Sequence, residues 1–200
     1  CKPSINILIT ISKTLTLPNW IKRNLFMTHT LIPDTQAPEL SLPLVGGGTW
    51  VLSEQTPQHF TMVIFYRGLH CPVCKNYLGT LNSMMDQISE LGFSVVVASM
   101  DTLERAEQAK ADWGLDKVDV AYGLDMETAK KWGLYVSTSI KEAENDIFSE
   151  PGLMWIRADG RLYLIDIANM PWARPDLETL MPKAKFAVEN NYPARGTNAG

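Results

Sequence analysis

The sequence predicts one α/β domain, a mixed central sheet with helices on both faces. Three observations point there. Runs of β-branched and aromatic residues alternate with helical periods through the first two thirds of the chain. Late in the chain Asp159-Gly160 stands between two apolar runs, the strongest short signal for an antiparallel hairpin. No internal repeat and no low-complexity linker divides the sequence.

Each element has its own signal. Gln36 to Leu42 and Thr49 to Leu52 read as two short extended segments around the Gly46-Gly47-Gly48 turn. Thr61 to Tyr66 is a β-branched and aromatic run, long enough for a buried strand. From Pro72 to Leu91 the apolar residues Leu78, Leu81, Met85 and Ile88 recur at steps of three and four, which predicts an amphipathic helix stopped by Gly92. Phe93 to Ala98 is a second strand, built on Val95-Val96-Val97. Asp101 followed by Glu104 reads as the N-terminal box of a helix that runs to Trp113, before Gly114. Val118 to Tyr122 is a short strand, and Met126 to Trp132 a short helix closed by Gly133. Leu153 to Arg157 and Leu162 to Ile167 form the hairpin, and a last helix follows Pro175 and ends near Asn190.

Composition sets limits on function. The 200 residues are 46% apolar and 20% charged, enough to bury a core without disulfide staples or a structural metal. A formal charge of −4 argues against nucleic acid or an anionic membrane as partner, because both select a basic surface. No run approaches the roughly 18 apolar residues of a membrane span. Three cysteines, two of them three residues apart, suit redox or metal chemistry better than a disulfide framework, and a cytoplasmic setting is expected. Lys2, Lys13, Lys22 and Arg23 precede the first acid, Asp34. Residues 1–33 are therefore read as a tail outside a domain of residues 34–200, with Met27 as the preferred start. A transit peptide and a lipidated Cys1 are the alternative readings.

Cys71-Pro72-Val73-Cys74 is the informative place, where a strand hands over to a helix. A thiolate there meets unsatisfied backbone N–H groups and the positive end of the helix dipole, so its pKa falls below about 8.5. Pro72 suits the first helical turn, where its missing donor costs nothing. Cys74 lies one turn along the same face, within reach of a disulfide after modest adjustment. Cys71 is thus the expected first nucleophile and Cys74 its partner. Zinc is the weaker reading: only His29, His59 or His70 could join the pair, and no second ligand pair is suitably spaced. Two inert buried thiols are the other bland reading. His70 either lowers the thiol pKa as a cation or shields the sulfur, packing being preferred. Arg67 either holds a thiolate or peroxide anion or is a surface residue at a strand end.

At these residues the chain resembles the peroxiredoxin-like branch of the alkyl hydroperoxide reductase and thiol-specific antioxidant family. The similarity runs from Asp34 to Ala194. It is carried by Gln36-Ala-Pro-Glu-Leu-Ser-Leu, Phe65-Tyr-Arg-Gly-Leu-His-Cys-Pro-Val-Cys, Ser99-Met-Asp-Thr, Lys131-Trp-Gly-Leu and Glu150-Pro-Gly-Leu-Met-Trp-Ile-Arg-Ala-Asp-Gly, in that order. The resemblance implies a thioredoxin-like fold with an N-terminal β-hairpin extension and a peroxidatic cysteine at Cys71. It implies a peroxide or disulfide substrate, no cofactor or metal, and thioredoxin, glutaredoxin or a low-molecular-weight thiol as reductant. A homodimer is compatible with it, although no cysteine after Cys74 could serve as an intersubunit resolving thiol.

Two departures from the family's pattern stand out. Its usual Thr or Ser three residues before the cysteine is Gly68 here, and its Pro four residues earlier is Ile64. Its active-site arginine falls at Pro151, so Arg67 or Arg174 would have to supply that charge. The spacing around Cys71 also resembles thioredoxin, and Pro151 is a candidate for the part of thioredoxin's cis-proline, though Gly152 fits the offset better. The leading expectation is a thiol-dependent peroxidase-like antioxidant. The alternatives are a thiol–disulfide oxidoreductase and a non-catalytic redox sensor.

Overall fold

The computed structural model describes residues 31–198, so Cys1, His29 and all but the end of the N-terminal tail lie outside the described residues. The chain enters the fold where the Asp34 amide donates to the Leu162 carbonyl at 2.7 Å. Strands β1 (Ser41–Pro43) and β2 (Thr49–Val51) pair antiparallel across the glycine turn. Gly46, Gly47 and Gly48 all have positive φ, which a side chain would resist. The extended segments are this hairpin.

The central sheet has five strands in the order β5 (Asp119–Ala121), β4 (Phe93–Ala98), β3 (Phe60–Phe65), β8 (Gly152–Arg157) and β9 (Leu162–Ile167). Strand β3 (Phe60–Phe65) runs parallel to β4 (Phe93–Ala98), and β4 parallel to β5 (Asp119–Ala121). On the other side β3 pairs antiparallel with β8 (Gly152–Arg157), which turns at Asp159-Gly160 into β9 (Leu162–Ile167). Every residue of β3 is buried, as a central strand covered on both faces requires. Met62 and Ile64 face one cluster and Val63 and Phe65 the other, the period of two sorting one strand between two cores.

Helix α1 (Pro72–Glu90) buries Cys74, Leu78, Leu81, Met85 and Ile88 as one stripe against the first face. Helices α2 (Leu103–Asp112) and α4 (Leu177–Glu189) contribute to the same cluster through Ala106, Leu177, Met181 and Ala184. Helix α3 (Met126–Lys131) and the β1–β2 hairpin cover the opposite face with Trp132, Leu42 and Trp50. No helix among the described residues is long and apolar enough to cross a membrane.

Two readings change. Asp101 does not cap α2; Thr102 is its N-cap residue, and the Asp101 carboxylate points to the loop before Cys71. A second small hairpin, β6 (Val136–Thr138) with β7 (Ile147–Ser149), lies where the sequence predicted no element. Three-residue strands are too short to show a period.

Candidate active site

Cys71 is the N-cap residue of α1, with φ −100° and ψ 101°. Its Sγ accepts the Cys74 amide at 3.2 Å, one of the donors that a helix start leaves free. Pro72 follows as the first helical residue, as expected. Both cysteines are free thiols and both are buried, Cys71 only 1% exposed. Their environments push them apart. Hydrogen bonds from the Cys74 thiol and amide, with the Arg67 charge adding to them, outweigh burial and lower the Cys71 pKa to about 6. Burial, reinforced by its hydrogen bond to Cys71, raises the Cys74 thiol well above its ordinary range. At neutral pH the pair is one thiolate and one thiol.

Arg67 is no surface residue. Its Nε lies 3.2 Å from Glu150 Oε2, its Nη2 3.5 Å from Glu144 Oε1, and its guanidinium stacks 4.6 Å above the Phe148 ring. All three partners come from the unpredicted β6–β7 hairpin or the residue after it. Glu150 is held in turn by Ser137 Oγ at 2.7 Å. His70 packs edge-on against the same Phe148, ring centroids 4.7 Å apart. Burial, with the Arg67 charge, lowers its pKa, so the imidazole is neutral at pH 7 and covers the site without charging it. Both its ring nitrogens are buried without a hydrogen-bond partner.

Gly68 and Asp101 shape the loop into the cysteine. Asp101 is fully buried. Its Oδ2 accepts the Leu69 amide at 2.8 Å, and its Oδ1 accepts Arg105 Nε at 3.1 Å and Asn145 Nδ2 at 2.9 Å. Gly68 has φ +124°, and a Cβ there would sit 2.7 Å from Asp101 Oδ1. The position where the resembling family keeps a hydroxyl therefore has no room for one. The Gly68 carbonyl accepts the Cys71 amide at 3.1 Å and completes the turn.

Register pairs Phe65 with Gly152, so Pro151 sits at the end of the sheet from which this loop leaves. Its peptide bond is trans, and its carbonyl accepts the Ala168 amide at 3.0 Å. On the Cys74 side Arg174, from the segment between β9 and α4, donates from Nη2 to Cys74 Sγ at 3.3 Å. Arg67 and Arg174 thus serve one cysteine each. Among the described residues no three His, Cys, Asp or Glu side chains gather as a metal site.

Sequence comparison with the curated proteins finds no match. Solved structures share the fold. Peroxidoxin BcpB of Mycobacterium tuberculosis superposes with a TM-score of 0.64 at 13% identity, covering 80% of this chain and 98% of its own. A peroxiredoxin-like protein from Aquifex aeolicus gives 0.65 at 17% identity over 80% and 90%. A putative thiol:disulfide interchange protein DsbE from Chlorobium tepidum gives 0.59 at 22% identity over 78% and 99%. The fold is the thioredoxin-like fold of all three. The AhpC/TSA family model matches residues 33–165, a span that holds Cys71, Cys74, Arg67, the Asp101 anchor and all of the sheet but the last two residues of β9, and the chain belongs to that family.

Proposed function

We propose that this protein is a thiol-dependent peroxidase-like oxidoreductase acting on hydrogen peroxide or organic hydroperoxides through Cys71 and Cys74. The Cys71 thiolate attacks one peroxide oxygen, the O–O bond breaks, and water or an alcohol leaves once its oxyanion takes a proton. Cys71 becomes a sulfenic acid. Cys74 then attacks that sulfur, hydroxide departs as water, and the disulfide awaits an external thiol. The observation that carries this reading is a thiolate with a pKa of about 6 on a residue 1% exposed. Such a sulfur is activated yet nearly enclosed, which favours small reagents over bulky ones. Arg67, whose charge helps lower the Cys71 pKa, and the Cys74 amide, 3.2 Å from Cys71 Sγ, are the donors this reading assigns to the charge on the departing oxygen.

Gly68 favours a second reading, a thiol–disulfide oxidoreductase, because no hydroxyl can sit beside Cys71 to polarise a peroxide. Peroxide consumption with dithiothreitol, run beside insulin reduction, separates the two. Peroxide turnover lost in Cys71→Ser, with Cys74→Ser trapping the sulfenic acid, supports the first. Insulin reduction without peroxide turnover replaces it with the second.

A further inference from the structure

Arg174 is the one charged side chain that donates to the Cys74 sulfur among the described contacts. Its surroundings fit no purely structural role. The guanidinium lies 4.6 Å above the Tyr77 ring, and the Tyr77 hydroxyl donates to the Pro175 carbonyl at 3.0 Å, which pins the segment. Nε and Nη1 are buried with no hydrogen-bond partner. A half-buried guanidinium with two buried nitrogens left idle is costly, and a neutral thiol is a weak acceptor for the third. The arrangement becomes favourable when the sulfur is negative.

Resting conditions do not make it so. Cys74 is buried beside the Cys71 thiolate, and like charges one turn apart keep the second sulfur protonated. Oxidation of Cys71 removes that negative charge. The groups then facing Cys74 are the Tyr66 hydroxyl at the end of β3, the backbone at Arg67, the modified Cys71 and Arg174. Asp166 on β9 is the acidic neighbour of Arg174, and burial pushes its carboxyl above the ordinary range.

We propose that Arg174 is a catalytic residue for the second step alone, holding Cys74 as the thiolate that attacks oxidised Cys71. It contributes nothing to the first attack, which belongs to the Arg67 side of the site. This assignment rests on the two-cysteine reaction above, and the division of labour is its new content: one arginine for each sulfur, used in sequence.

The test loads Cys71 without peroxide. Methyl methanethiosulfonate converts the Cys71 thiolate to a methyl disulfide and releases methanesulfinate. Cys74 thiolate then attacks Cys71 Sγ, closing the intramolecular disulfide and releasing methanethiolate, and mass spectrometry follows both steps. Arg174→Met should leave the first step within about twofold and slow closure by about tenfold, the net effect of about two units in thiol pKa once the greater nucleophilicity of the more basic sulfur offsets part of the lost thiolate. The pH profile of closure should shift upward, and Arg174→Lys should restore most of the rate. Arg174→Gln serves in place of the Met variant if thermal melts show the latter unfolded. Unchanged closure, or equal slowing of both steps, overturns the assignment. A parallel run with hydrogen peroxide keeps the two readings apart. Wild-type protein that ignores peroxide but closes its methyl disulfide through Arg174 loses the peroxidase reading and keeps this one.

Discussion

The Asp101 carboxylate and the Leu69 amide, 2.8 Å apart, join the end of β4 to the loop that delivers Cys71. A fully buried charge takes three donors here, from Leu69, Arg105 and Asn145, and so ties three segments to one point. The loop has no regular structure of its own to hold the nucleophile. Asp101 supplies what a helix or strand would otherwise provide.

Asp101→Ala should therefore lower stability by about 3–5 kcal/mol in denaturant titration, because it orphans buried donors and leaves the Arg105 charge without its partner. Asp101→Asn should lose less, since its carbonyl oxygen can still accept the Leu69 amide. Thiol reactivity in the Asn variant should become heterogeneous as the loop loosens.

Gly68→Thr puts back the hydroxyl of the wider family and should still fail. A Cβ at φ +124° and 2.7 Å from Asp101 Oδ1 must move either the loop or the carboxylate. The strain is on the order of 1–3 kcal/mol. A lowered melting temperature with no gain in peroxide turnover is the expected result, and Gly68→Ala should show most of the same loss.

Alkylation of Cys71 by iodoacetamide needs the thiolate, so its rate should rise with pH through a midpoint near 6 and level off by neutrality. The sign for stability follows from the same shift. Cys71 titrates lower folded than unfolded, so its contribution is fully present above the unfolded thiol pKa and is lost as pH falls through about 6. Cys74→Ala should raise the midpoint more than Arg67→Ala, because the Cys74 hydrogen bond is the larger cause.

Arg67→Ala should slow peroxide reduction far more than alkylation, since only the former develops charge on a departing oxygen. It also leaves the buried Glu150 without its cation, for a loss of about 2–3 kcal/mol by chemical unfolding. Equal slowing of both reactions would reduce Arg67 to a tuner of the thiol.

Most of the sheet was legible because its strands are long enough to show composition and period: β4 lies where Val95-Val96-Val97 puts it, and β3 begins one residue before its predicted start. The Cys71–Cys74 spacing was legible as well, since a helix start makes i and i+3 neighbours whatever surrounds them. The β6–β7 hairpin was not, and with it went Glu144, Phe148 and Glu150, the whole setting of Arg67. Asp101 misled for a different reason. An acid three residues before a glutamate is a good local cap, and only the tertiary fold brings Leu69, 32 positions away, to compete for it. Arg174 is a hundred residues from Cys74, and no spacing rule connects them.

The single turn of helix between the two sulfurs also sets a race. In the proposed reaction, once Cys71 carries an oxygen, a further oxidant must diffuse in from dilute solution, while Cys74 waits at the same helix start with an effective molarity far above that of a dilute oxidant. Closure in that reaction joins two residues of one helix start and calls on no second subunit. A chain built this way should rarely reach the irreversible sulfinic state, and its lifetime under oxidative load should be set by how fast the disulfide is reduced again.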